Sequence, residues 1–130
     1  MIGAGQALPP FEIASIDPQA MVVWADLLHD PNPIHLDKAA VQAAGLGERR
    51  INQGPANLAY ILNMLAAALP DWRVESTDVR FMANVLEDDR VVAGGTITAA
   101  NDSHVTCDIW LEVDGRGRAL AGSATLVKND

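Results

Sequence analysis

Hydrophobic residues in this chain follow a three-and-four spacing up to about residue 70 and an alternating one further on, so helices are expected first and strands afterwards. After the Pro9-Pro10 break, residues 11–16 read as a short strand. Asp17-Pro18 has the form of an N-cap followed by proline at the first helical position. The helix beyond it carries Met21, Trp24, Ala25 and Leu28 on one side and ends at Asp30. Asp37 can cap a second short helix over 38–44, with Gly45 as its left-handed terminator. Gly54-Pro55 opens a third helix and Pro70 closes it, giving a span of about 55–69. Leu58, Ile61, Leu62, Leu65 and Leu69 mark one face, and Ala56, Ala59, Ala66, Ala67 and Ala68 cover much of the rest. A helix apolar nearly all round is expected to be buried all round.

Past that helix, Val79, Phe81, Ala83 and Val85 alternate with Asp78, Arg80, Met82 and Asn84. Residues 90–100 are rich in Val, Thr and Ile and contain Gly94-Gly95, where a bend or bulge is expected. Val105, Cys107, Ile109, Leu111 and Val113 alternate with more polar neighbours, Asp114-Gly115-Arg116-Gly117 forms a hairpin turn, and residues 118–128 form the last strand. Helices followed by a meander of strands define an α+β domain. The whole chain, residues 1–130, fits one such domain with a core of its own.

Charge narrows the partners. The net charge of -8, from 17 acidic and 9 basic residues, argues against nucleic acid and against anionic membrane surfaces. No apolar run approaches a membrane span, and the start lacks a signal-peptide layout, so a cytoplasmic location is expected. A lone cysteine, Cys107, rules out an intrachain disulfide and reads as a core residue in a reducing compartment.

Candidate chemistry concentrates in Asp30-Pro31-Asn32-Pro33-Ile34-His35-Leu36-Asp37. The two prolines push Asp30 and Asn32 toward extended backbone and stiffen the loop. An Asp and a His five residues apart on such a loop can grip one water between them, as acid–base chemistry requires. The plainer reading is a polar turn entering a helix. A metal site of His29, Asp30, His35 and Asp37 is weaker, because no further His or Cys cluster completes it.

Together with the Ala-rich stretch that follows and the Gly that opens the long apolar helix, this segment resembles the MaoC-like dehydratases, among them the (R)-specific enoyl-CoA hydratases. The resemblance implies a hot-dog fold, in which a curved antiparallel sheet wraps one long buried central helix. It implies a hydro-lyase in which Asp30 and His35 hold the water that adds to a trans-2-enoyl thioester, or leaves the (R)-3-hydroxyacyl thioester in reverse. The substrate would arrive as a coenzyme A or acyl-carrier thioester, with no other cofactor and no metal, and the protein would be a homodimer. Coenzyme A phosphates need local cations, for which Arg49, Arg50, Arg80, Arg116, Arg118 and Lys128 are available.

The thioester oxygen gains charge during the reaction, and a helix N-terminus offers free N–H groups and a positive dipole end for it. Gly54 stands at such an end, and its backbone N–H is the candidate oxyanion donor. Asn32, Gln53 and Asn57 are candidate substrate-binding residues, although an Asx turn accounts for Asn32 equally well and Asp37 reads as a helix cap. Where the resembling family usually has His-Gly-Met, this chain has Gln53-Gly54-Pro55, which keeps the glycine and bears on substrate choice. Three rivals remain: an acyl-carrier-protein dehydratase, a subunit of a heteromeric hydratase with a bulky substrate, and a hot-dog thioesterase. The last often places a carboxylate on the central helix, and residues 55–69 hold none.

Overall fold

The computed structural model describes residues 2–130 and bears out the hot-dog architecture. Five antiparallel strands, β1 (Phe11–Ile13), β2 (Trp72–Phe81), β3 (Val91–Ala100), β4 (His104–Val113) and β5 (Gly117–Lys128), form one sheet in the order β1-β3-β4-β5-β2. The helices α1 (Pro18–Leu28), α2 (Lys38–Ala43) and α3 (Gly54–Ala68) all precede β2, and α3 lies against the sheet.

Alternation does in β4 what it predicts: Val105, Cys107, Ile109, Leu111 and Val113 are buried, while His104, Asp108 and Glu112 are exposed. From α3, Ala56, Ile61, Met64 and Leu65 enter the core with them. The local caps also hold, since Asp17 accepts from the Gln19 N–H and Asp37 from the Ala39 N–H, and Gly45 turns left-handed at φ 72°. Both hairpin glycines, Gly115 and Gly117, have positive φ.

Four expectations need correction. The first strand stops at Ile13; Ile16 is buried from a loop instead, with its N–H on the Asp89 carbonyl. The strand expected around residues 78–85 begins at Trp72 and ends at Phe81, because Arg73, Glu75 and Asp78 mask the alternation of a strand with one open face. The central helix is not covered all round: Leu62 is 37% exposed, and Asn63, Ala66 and Ala67 share that bare side.

Gly94-Gly95 makes no bulge either. Both residues pair in register with β4, and the register shift falls between Ile97 and Ala99. Close approach explains the glycines. A Cβ on Gly94 would sit 2.7 Å from the Trp110 indole nitrogen, and one on Gly95 would sit 3.3 Å from the Met64 methyl and 2.9 Å from the Asp108 carbonyl. The pair lets an indole lie on one face of the sheet while α3 presses on the other.

Candidate active site

Helix α1 ends at His29, whose left-handed φ of 52° lets the Asp30 N–H turn back to the Ala25 carbonyl. That left-handed residue swings the chain off the helix axis and starts the proline loop. Inside the loop the short polar side chains satisfy the backbone. Asp30 Oδ1 accepts from the Asn32 N–H at 3.2 Å, and Asn32 Oδ1 accepts from the Ile34 N–H at 3.3 Å. Asn32 thereby caps a single 3-10 turn, Pro33–His35, that delivers His35 into the protein.

His35 is 9% exposed, and its Nδ1 lies 2.6 Å from the Ile51 carbonyl oxygen. A carbonyl can only accept, so Nδ1 carries the proton, and in the neutral ring Nε2 is left as an acceptor. Nε2 faces Asp30 Oδ2 at 3.4 Å. With the ring neutral, two acceptors at that distance can receive a molecule with two protons to donate, and water is the smallest one. The Asp30 side chain keeps 39% of its exposure and the His35 side chain 11%, so one wall of the dyad is open and the other fixed.

The Ile51 segment leads directly into α3. Ile51 N–H donates to the Ile34 carbonyl, and Asn52 N–H to the Val85 carbonyl at 2.7 Å. Gln53, the N-cap residue, makes no side-chain cap, and Pro55 has no N–H, so the start of α3 keeps unfilled donor capacity at Gly54. The Phe81 ring packs on Gly54, 3.4 Å from where a Cβ would stand, and is itself 54% exposed.

Behind this entrance the carboxamides are buried. Asn52 Nδ2 donates to Asn57 Oδ1 at 2.8 Å and to the Tyr60 hydroxyl at 3.1 Å. Burial pushes the Tyr60 hydroxyl above its usual value, and the bond from Asn52 offsets this in part. Gln53 is fully buried; its Nε2 donates to the Met21 carbonyl at 2.8 Å, and its Oε1 has no hydrogen-bond partner among the described residues.

Sequence reasoning missed the Ile51 carbonyl, which no side-chain pattern announces. It also missed Glu87 and Asp89, whose acidic run reads as a solvated turn but which are 2% and 7% exposed. Glu87 is paired with Arg50 and, at 3.2 Å, with Lys38; Asp89 is paired with Arg116 and, at 3.2 Å, with Arg49. Burial pushes the Glu87 carboxyl up, but the hydrogen bonds and charges of Arg50 and Lys38 outweigh it and hold the group below its usual value. Three of the six candidate phosphate-binding cations are thus committed to internal acids, while Arg118 lies over Trp110 and Lys128 over Trp72. Among the described residues Arg80 alone of the six has no ionic or aromatic partner of this kind.

Cavities of about 260, 480 and 520 Å³ open along the sheet among the described residues, and neither Asp30, His35 nor Gly54 lines these. Among the described residues no three His, Cys, Asp or Glu side chains gather as metal ligands would. No helix among them is long and apolar enough to cross a membrane.

An antiparallel sheet laid against a central helix is the hot-dog arrangement, and a family model described as a MaoC like domain matches residues 5–108. The chain belongs to that family. No curated protein sequence matches it. Among solved structures it is similar to an (R)-hydratase from A. caviae involved in PHA biosynthesis, with TM-score 0.88 and 24% identity over 99% of this chain and 98% of that one. It is also similar to a chain of the ChsH1-ChsH2 complex from Mycobacterium tuberculosis, with TM-score 0.87 and 20% identity over 99% of this chain and 100% of that one. A fluoroacetyl-CoA-specific thioesterase, FlK, matches less well, with TM-score 0.66 and 12% identity over 98% and 87% of the two chains. At these identities the likeness is one of fold, and the activity has to be argued from the site.

Proposed function

We propose that the protein is a hydro-lyase that adds water to a trans-2-enoyl thioester, giving the (R)-3-hydroxyacyl thioester, or runs the reverse dehydration. The observation that carries this reading is the 2.6 Å contact between His35 Nδ1 and the Ile51 carbonyl, from which the tautomer follows. With Nδ1–H engaged, His35 Nε2 and Asp30 Oδ2 both face the same point as acceptors, 3.4 Å apart. A water held there donates one hydrogen bond to each. As its oxygen attacks the β-carbon, Asp30 takes one proton, and that proton passes through the pair to the α-carbon. The new hydroxyl keeps the other proton, so the sum is one water added. Meanwhile the Gly54 N–H receives the thioester oxygen as it gains negative charge, at the positive end of α3.

Substrate is carried as a coenzyme A or acyl-carrier thioester, and no other cofactor is needed for this chemistry. Asn32 holds the loop, while Gln53 and Asn57 shape the space at the helix entrance. Thioester hydrolysis is the weaker reading, because α3 carries no carboxylate to direct water at the thioester carbon. The working unit is a homodimer in the cytoplasm. β2 pairs on one side only, and the buried, free Cys107 is in keeping with a reducing setting.

Purified protein assayed with short and long trans-2-enoyl-CoA, and with acyl-carrier thioesters, tests the proposal. Asp30→Asn and His35→Ala should each cut hydration by about a hundredfold to ten-thousandfold. The double variant should be little worse than either, since the two act as one unit. A folded single variant with near wild-type turnover, or a wild-type protein inert toward every enoyl thioester, would sink it.

A further inference from the structure

Burying a carboxylate is expensive, and replacing a buried ion pair by apolar side chains is often neutral or stabilising. Glu87 and its two cations therefore call for an account beyond stability. Glu87 belongs to a loop that meets the Ile51 segment through one isolated bridge, Ile51 with Leu86, and through the bond from its own N–H to the Arg50 carbonyl at 2.9 Å. Its side chain pairs with Arg50, the residue just before the carbonyl that fixes His35. It also reaches Lys38, the first residue of α2 and three beyond His35, at 3.2 Å. One carboxylate thus spans the two segments whose separation sets the 2.6 Å contact between Nδ1 and the Ile51 oxygen.

We propose that Glu87 is a positioning residue that holds the His35 and Ile51 segments together and so keeps the imidazole proton on Nδ1. The proposal rests on the hydratase reading only for its kinetic consequence; the tautomer itself is a property of the free protein. Asp89 marks the contrast. It is buried in the same loop and pairs with Arg49 and Arg116, and it accepts from the Leu86 N–H at 2.7 Å. Of its cations Arg49 lies on the Ile51 side and Arg116 in the turn before β5, and neither lies on the His35 side, so it stabilises the loop without bridging the two segments.

The test is nitrogen-15 spectroscopy of the His35 ring in the full chain, with kcat, KM and the pH profile of turnover measured alongside. Wild type should show a single tautomer protonated at Nδ1. Glu87→Gln keeps the shape and removes the charge; it should give mixed tautomers, a shifted pH profile, and a fall in kcat of roughly 10- to 100-fold with KM little changed. That is milder than the roughly ten-thousandfold loss seen elsewhere when a catalytic histidine is held in the wrong tautomer. Lys38→Met breaks the bridge at its exposed end, so folding is not at risk, and should move the same readouts in the same direction by less. Asp89→Asn should lower the melting temperature and leave the His35 spectrum unchanged. A wild-type spectrum in both Glu87→Gln and Lys38→Met overturns the proposal, as does an equal change in Asp89→Asn. An inert wild type with a fixed Nδ1 tautomer would remove the hydratase reading and leave the positioning role standing.

Discussion

Gln53→Met should make the protein more stable. Gln53 is fully buried, its Nε2 bonds the Met21 carbonyl, and its Oε1 has no partner among the described residues. A buried carbonyl oxygen left unpaired costs about 1–3 kcal/mol, and the bond that the substitution gives up is worth about 1 kcal/mol. Methionine is close to glutamine in length and flexible enough to fill the same space. The Met21 carbonyl sits inside α1 and keeps its helical bond. The balance is a gain of about 1 kcal/mol. For 130 residues the unfolding entropy is roughly 0.27 kcal/mol per kelvin, so the melting temperature should rise by about 4 °C. Calorimetry and urea titration of both proteins measure this, and turnover across acyl chain lengths should show a changed preference in the same variant. A loss of more than about 1 kcal/mol would refute the reasoning, because it would mean that Oε1 is bonded in solution, to water or to a mobile donor.

Two further outcomes are expected. Gly54→Val keeps the backbone N–H but places its Cβ at ordinary contact with the Phe81 ring, and its branches would displace a thioester lying there, so turnover should fall by about a hundredfold, while the exposed ring yields and melting is little changed. Full activity in that variant, together with an unchanged substrate profile in Gln53→His, would mean that the thioester does not bind at this helix end. Sedimentation at micromolar concentration should show a dimer of the 13.8 kDa chain, since β2 offers ten residues of open edge ending in Phe81, which is 54% exposed and is followed by Met82 at 48%. A compact monomer would count against it.

Punctuation made much of this fold legible. Pro18, Pro55 and Pro70, with Asp17 and Asp37, bound the helices to within two residues, because proline and capping side chains act locally. Alternation identified the inward face of β4 for the same reason. Asp30 and His35 were visible as a pair because a stiff loop keeps sequence neighbours close. What could not be read depends on contacts made across the chain. The tautomer of His35 is set by a backbone carbonyl sixteen residues away, and main-chain atoms leave no mark on composition. Glu87 and Asp89 look like turn residues until Arg50, Lys38, Arg49 and Arg116 arrive from three other segments. Gly94 and Gly95 signal that something approaches closely, yet only the fold says that it is Trp110 on one face and Met64 on the other.

The strand order has a consequence for how the protein is made. β2 follows α3 directly in the chain, but its neighbour in the sheet is β5, with Trp72 opposite Lys128 and Phe81 opposite Leu120. On the ribosome, therefore, the apolar helix and the strand after it emerge before the strand that will join β2 to the rest of the sheet. Such long-range pairing is slow, and the half-built chain shows both an open edge and apolar helix surface. β5 lies between β4 and β2, so its arrival closes both seams at once. A nascent chain stalled before residue 117 would hold the whole loop from Asp30 to His35 and still have nothing for β2 to pair with.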